Sequence, residues 1–140
     1  MRARDVREGA PNKKLTAPRV LLVDDDRVVR ALLAISLEDL GCRILTAGNG
    51  EEALQVLHAE PSVDVVVAEI DMPLVDGLEL LRRIKQSARH KDLPVILCSV
   101  RADPETMKRA VENGCVLYLL KPIEPEFLFE QISTILRLVT

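Results

Sequence analysis

Tryptophan is absent from the chain, tyrosine occurs once and phenylalanine twice. With only 2% aromatic but 48% hydrophobic residues, aliphatic side chains must fill the interior, which suits a layered α/β fold. No apolar run approaches the roughly 18 residues that would span a bilayer, and no signal-peptide pattern opens the chain. Membrane insertion and secretion are therefore not expected, and the cytoplasm is the default compartment. Cysteine is scarce and odd in number. Cys42, Cys98 and Cys115 lie in apolar stretches, which points to small buried hydrophobes and against a disulfide framework or a metal site. His58 and His90 lack ligand or nucleophile spacing and are expected at the surface.

What is present fits one domain, since 140 residues suffice to bury a core. The net charge of −3 hides an asymmetry. Residues 1–19 hold six basic and two acidic side chains, which leaves −7 on the remainder. An acidic domain is a poor nucleic-acid binder. Residues 1–18 mix charge with Gly9, Pro11 and Pro18 without periodicity, so they are expected to form a disordered basic leader, with residues 19–140 as the folded domain.

Short apolar runs alternate with amphipathic ones. Val20 to Val23 has the character of a strand buried on both faces. Val28, Val29, Leu32, Leu33, Leu37 and Leu40 give a helical stripe, which Gly41 ends. Residues 43–47 form a second strand candidate. Asn49 and Glu52 resemble a capping box before Ala53, Leu54 and Leu57, and Pro61 closes that helix. Residues 63–70 predict the third strand, followed by helical spacing at Leu78, Leu81 and Ile84. Residues 95–99 form the fourth. Asp103 can cap a helix opened by Pro104, with Met107, Ala110 and Val111 facing inward. Residues 116–120 form the fifth strand, and Pro125 opens a last helix with Leu128, Ile132, Ile135 and Val139 inward.

Five alternations of strand and helix predict a parallel, doubly wound sheet of flavodoxin-like (βα)5 type. Its expected strand order is 2-1-3-4-5, which places a ligand site at the carboxyl ends of strands one and three. Asp24 and Asp25 end the first strand and Glu69 the third. Neighbouring strands lie about 4.8 Å apart, so these carboxylates converge. Two unit charges 4 Å apart repel by about 4 kcal/mol at an effective dielectric near 20. Such a pocket needs a cation or a retained proton, and hard oxygen ligands favour Mg²⁺ or Ca²⁺. The bland alternative is that these aspartates merely cap helices, Asp26 above all.

Four stretches carry a family likeness. Val20-Leu-Leu-Val-Asp-Asp-Asp26, Asp64-Val-Val-Val-Ala-Glu-Ile-Asp-Met-Pro-Leu-Val-Asp-Gly77, Pro94-Val-Ile-Leu-Cys-Ser99 and Tyr118-Leu-Leu-Lys-Pro122 resemble the successive signatures of response-regulator receiver domains of the CheY-like superfamily. Each motif alone is weak, but four in order at matching spacing are specific, and the likeness spans residues 19–138. It implies a switch in a two-component phosphorelay, not an enzyme. Asp24 and Asp25 then take the Mg²⁺-binding role, Asp25 the more directly, and the Asp71 carbonyl supplies the third protein ligand. Ser99 contacts a bound phosphoryl group, Lys121 pairs with its oxygens, and Tyr118 is the aromatic whose rotamer reports the switch. The Lys121–Pro122 bond is expected to be cis. A metal, an ammonium and a hydroxyl are also the donors a transferring phosphoryl group requires.

The resemblance breaks at one place. Counting back from Pro73 and from Asp76-Gly77, the phosphoacceptor position falls on Glu69, where the family carries aspartate. The extra methylene moves the carboxylate by about 1 Å, a displacement that can cost on the order of 10²-fold in rate. Ordinary acceptance is expected to be lost or impaired, and Mg²⁺ binding, to which Glu69 would also contribute, weakened. Two consequences compete. The longer carboxylate reaches Ser99 or Lys121 and imitates the activated state, or the domain holds one inactive shape and serves as a docking surface.

The resemblance implies a sensor histidine kinase or phosphotransfer protein upstream. A downstream partner is expected on the fourth helix, fifth strand and fifth helix. Phe127 and Phe129 flank Leu128 and cannot both face the core. An exposed apolar side chain there suits a partner or a homodimer. No membrane or direct nucleic-acid contact is expected. The competing class is a flavodoxin-like nucleotide or small-molecule binder, or a hydrolase. Backbone binding of phosphate would need a Gly- or hydroxyl-rich turn after the first strand, and Asp24-Asp25-Asp26 stands there instead.

Overall fold

The computed structural model describes residues 17–60 and 62–139, with side chains through Arg137 at the C-terminal end. Most of the basic leader therefore lies outside the described residues, as do Pro61 and the Val139 side chain. The elements run β1 (Arg19–Val23), α1 (Arg27–Asp39), β2 (Arg43–Ala47), α2 (Gly50–Ala59), β3 (Val65–Glu69), α3 (Gly77–Gln86), β4 (Val95–Ser99), α4 (Pro104–Glu112), β5 (Leu117–Leu120) and α5 (Pro125–Val139). All strand pairs are parallel, in the order β2-β1-β3-β4-β5. This is the expected doubly wound, flavodoxin-like sheet.

Successive side chains of a strand point to opposite faces, and here each face has its own core. Leu21, Val23, Val66, Ala68, Val95 and Leu97 pack beneath α2, α3 and α4 through Ala53, Leu57, Leu80, Leu81, Ile84 and Ala110. Val20, Leu22, Val65, Val67, Ile96 and Cys98 pack beneath α1 and α5 through Leu37, Leu128, Ile132 and Ile135. Helix starts are fixed by side-chain caps: Asp26 accepts from the N–H groups of Val28 and Val29, Asn49 from Glu52, Asp76 from Glu79 and Asp103 from Thr106. The Asn49 box closes differently from a standard one, because Glu52 Oε1 accepts from the Gly48 N–H at 2.6 Å and not from Asn49.

The helix faces differ from the expected stripes in two places. On α1, Val28 and Leu32 are 67% and 61% exposed and Val29 is also exposed, while Leu37 is the buried residue. Apolar residues surround this helix almost completely, so the periodicity fits two opposite faces and the sheet selects the one through Leu37. On α4, Thr106 takes the inward place and Val111 is exposed. Its hydroxyl is satisfied by the Asp103 cap at 2.6 Å, which makes the polar burial tolerable. Val116 precedes β5 and is exposed, Leu80 joins the α3 stripe, and Phe127 is exposed while Phe129 packs on the core.

Leu37→Ala should destabilise the fold by about 2–5 kcal/mol, as for other buried leucines. Leu32→Ala should change it by no more than about 0.5 kcal/mol. Urea denaturation of both variants checks the assignment of the buried face, and equal losses would contradict it.

Candidate functional site

Strand parity builds the site. Asp24 continues the phase of Val20 and Leu22, Glu69 that of Val65 and Val67, and Lys121 that of Leu117 and Leu119. All three therefore leave the sheet on the side of α1 and α5. Ala68 of β3 is level with Val23 of β1, so Asp24 and Glu69 emerge side by side. Lys121 Nζ donates to Asp24 Oδ2 at 2.8 Å and lies 2.6 Å from Glu69 Oε1. Asp24 Oδ1 accepts from the Asp26 N–H and Glu69 Oε2 from the Asp71 N–H, each at 2.9 Å. Every oxygen of the two buried carboxylates thus has a donor, as burial of charge requires.

Gly77 places the β3 end. A Cβ there would lie 2.4 Å from the Glu69 carbonyl oxygen, so only glycine lets the start of α3 approach this closely. Arg30 Nη1 donates to the Asp24 carbonyl at 2.5 Å and ties α1 to the β1 end. An apolar cleft of about 470 Å³ opens beside the trio, with Val29, Leu32, Leu33, Val67, Cys98 and Ile123 in its wall. Its apolar surroundings screen the charges poorly and strengthen their pairing. Burial pulls the Lys121 ammonium towards its neutral form, but hydrogen bonds to Asp24 and Glu69, reinforced by their charge, win and raise its pKa.

Ser99 and Tyr118 belong to the opposite parity. Ser99 is fully buried and its Oγ accepts from the Arg101 N–H at 2.9 Å. Tyr118 packs on the α2–α4 core and its hydroxyl donates to the Arg101 carbonyl at 2.7 Å. The Arg101 guanidinium in turn pairs with Asp71 at 3.1 Å. Arg101 is the residue that sequence reasoning missed. It lies in a loop, and its links to Ser99 and Tyr118 run through its backbone, for which no spacing rule exists. The Lys121–Pro122 peptide is cis.

Of the expected metal ligands, Asp24 and Glu69 come together. Asp25 is exposed and has no polar partner among the described residues; the Asp71 side chain pairs with Arg101, which leaves open the part expected of its carbonyl. Among the described residues no group of three His, Cys, Asp or Glu side chains could hold a metal ion. As arranged, the Lys121 ammonium occupies the point where both carboxylates converge, the place a divalent cation would have to share. Cys42 and Cys98 are buried as expected and Cys115 is half-buried; burial pushes Cys42 up to about 11 and Cys98, close to the trio, up to about 12.

These raised values have a consequence at alkaline pH. A group whose pKa is higher folded than unfolded stabilises fully below its unfolded value and loses that contribution as pH rises. Stability should therefore decline once pH passes the ordinary thiol value of 9.0 and should go on falling as Lys121 begins to deprotonate in the unfolded chain. Urea midpoints measured at increasing pH test this, and a midpoint unchanged up to about 11 would contradict it.

Comparison with known proteins gives a consistent result. Residues 20–133 match the family described as response regulator receiver domain. The chain is 36% identical over 121 residues to the two-component response regulator ORR5 of Oryza sativa subsp. japonica, covering 86% of this chain and 90% of that protein. A solved response regulator receiver protein from Pseudomonas putida superposes with a TM-score of 0.80 at 32% identity, covering 85% and 98% of the two chains. The chemotaxis protein CheY4 of Vibrio cholerae gives 0.79 at 27% identity over 85% and 98%. No described helix is long and apolar enough to cross a membrane. In sheet order, motif placement and these likenesses alike, the chain belongs to the response regulator receiver domain family.

Proposed function

We propose that this receiver domain works as a regulatory interaction module whose phosphoryl acceptance is lost or severely weakened, because Glu69 stands at the acceptor position. The observation that carries this reading is the contact of Glu69 Oε1 with Lys121 Nζ at 2.6 Å, with Asp24 on the same ammonium. An acceptor oxygen must be free to attack phosphorus in line, yet both Glu69 oxygens are engaged, one by the ammonium and one by the Asp71 N–H. The extra methylene also displaces the carboxylate by about 1 Å from the position an aspartate would hold. Glu69 reaches Lys121, and no hydrogen bond joins it to Ser99. Contact with Lys121 is one of the two by which imitation of the activated state was expected, but Lys121 is shared with Asp24 and Ser99 is not engaged, so we favour a fixed, charge-paired state.

Receiver domains typically bind Mg²⁺ at their acidic site and interact with histidine kinases or phosphotransfer proteins. In this chain Mg²⁺ would have to displace an ammonium held by two carboxylates, so its binding is weakened and no step of the function rests on it. Downstream recognition is assigned to the face of α4, β5 and α5, where Val111, Val116, Leu120 and Phe127 are exposed. The turn at residues 24–26 is anionic, which counts against nucleotide binding and phosphate-ester hydrolysis.

Incubation with a small phosphodonor and Mg²⁺, followed by intact-mass measurement, tests the proposal. The native chain should take up no phosphoryl group, while Glu69→Asp should be labelled at least about 10²-fold faster. Stoichiometric incorporation at Glu69 would refute the loss of acceptance. An unlabelled Glu69→Asp would show that Glu69 is not its cause.

A further inference from the structure

One face of α1 is not packed into the fold, and only Leu32 of it borders the cleft beside the sheet-end trio. At 3.6 residues per turn, Val28, Leu32, Ile35 and Asp39 fall within about 60° of one another, opposite the buried Leu37. The three apolar members are 67%, 61% and 55% exposed. Spacing of i, i+4 and i+7 is that by which one helix seats against another.

The charges at the ends of this stripe are unusual. The helix has no acidic residue in its first turn and no basic residue in its last. Arg27 stands at the start, and Glu38 and Asp39 stand at the end, which runs against the helix macrodipole. Helix stability therefore does not account for their placement. Arg27 and Glu38 share one flank, about 20° apart around the axis and about 16 Å apart along it. Both are exposed, and Arg27, Glu38 and Asp39 have no ion-pair partner among the described residues.

We propose that α1 is a self-association face, on which two copies of this chain pack their α1 helices antiparallel across a two-fold axis. A two-fold axis lying between the helices keeps each flank on its own side, so Arg27 of each copy meets Glu38 of the other, twice. The centre of that pairing falls beside Leu32, which packs against Leu32 of the second copy, with Val28 and Ile35 on either side. The charge pattern selects the occupant. A parallel copy would set Arg27 level with Arg27 and Glu38 with Glu38, whereas the antiparallel copy pairs each Arg27 with a Glu38 and opposes the two dipoles. The proposal goes beyond the reading of Glu69 and does not depend on it.

Sedimentation velocity of the full chain at rising concentration tests it, alongside Leu32→Asp, Arg27→Glu, Glu38→Arg and the double reversal Arg27→Glu/Glu38→Arg. The native chain should pass from monomer to dimer, and Leu32→Asp should stay monomeric. Each single reversal should weaken dimerisation by about tenfold or more, and the double reversal should restore it. A native chain that remains monomeric at millimolar concentration overturns the proposal. So does a dimer indifferent to Leu32→Asp, or a double reversal no better than the single ones. All these positions are exposed, and far-UV circular dichroism verifies folding. Val28→Asp replaces Leu32→Asp should that variant fail to fold.

Discussion

The ammonium of Lys121, held between Asp24 and Glu69, is the interaction on which the functional end of this molecule depends. Parallel strands bring two carboxylates to adjacent strand ends whether or not the chain benefits from it, and unscreened they repel by several kcal/mol. Lys121 arrives from β5, on the far side of β4, and its length lets it reach back across that strand. The trio carries one net negative formal charge, and each of its four carboxylate oxygens has one donor, Lys121 or the Asp26 or Asp71 N–H. The pairing leaves neither buried carboxylate without a donor in the resting state.

Strand parity sorts the remaining site residues. Lys121, Glu69 and Asp24 leave the sheet towards α1 and α5, whereas Ser99 and Tyr118 leave it towards α2, α3 and α4. An aspartate at position 69 would end about one carbon–carbon bond nearer the backbone, closer to the strand-end line that separates the two groups. Parity puts the carboxylate at position 69 on the Lys121 side whatever its length, and the glutamate there reaches the ammonium at 2.6 Å.

Much of this was legible in the sequence. The five strands, their order and the caps at Asp26, Asn49 and Asp103 follow from short-range chemistry, and the meeting of Asp24, Glu69 and Lys121 follows from their places at strand ends. Three features were not. Val28, Val29, Leu32, Leu33, Ile35 and Leu37 surround α1, so periodicity alone could not say that Leu37 faces inward and Val28 outward. The run of three aspartates offered Asp26 as a cap but did not reveal that Asp24 stays in phase with its strand while Asp25 turns to solvent. Arg101 organises its loop through backbone atoms, and any residue type offers those.

How far could the state of Glu69 be felt at Tyr118? Between the trio and the Ser99–Arg101–Tyr118 group, the Lys121 N–H donates to the Ser99 carbonyl at 2.9 Å within the sheet, and the side-chain link among the described residues is Asp71, whose N–H binds Glu69 and whose carboxylate pairs with Arg101. The Asp71 and Arg101 side chains are each about half exposed, and surface ion pairs of that kind contribute about 0–1 kcal/mol. A coupling free energy cannot exceed the differential interaction that transmits it. A signal passing by this route could therefore shift the Tyr118 face by a factor of only about five. A steep switch needs a stronger connection, such as a ligand that touches Ser99 and Lys121 at once, which is what a phosphoryl group provides.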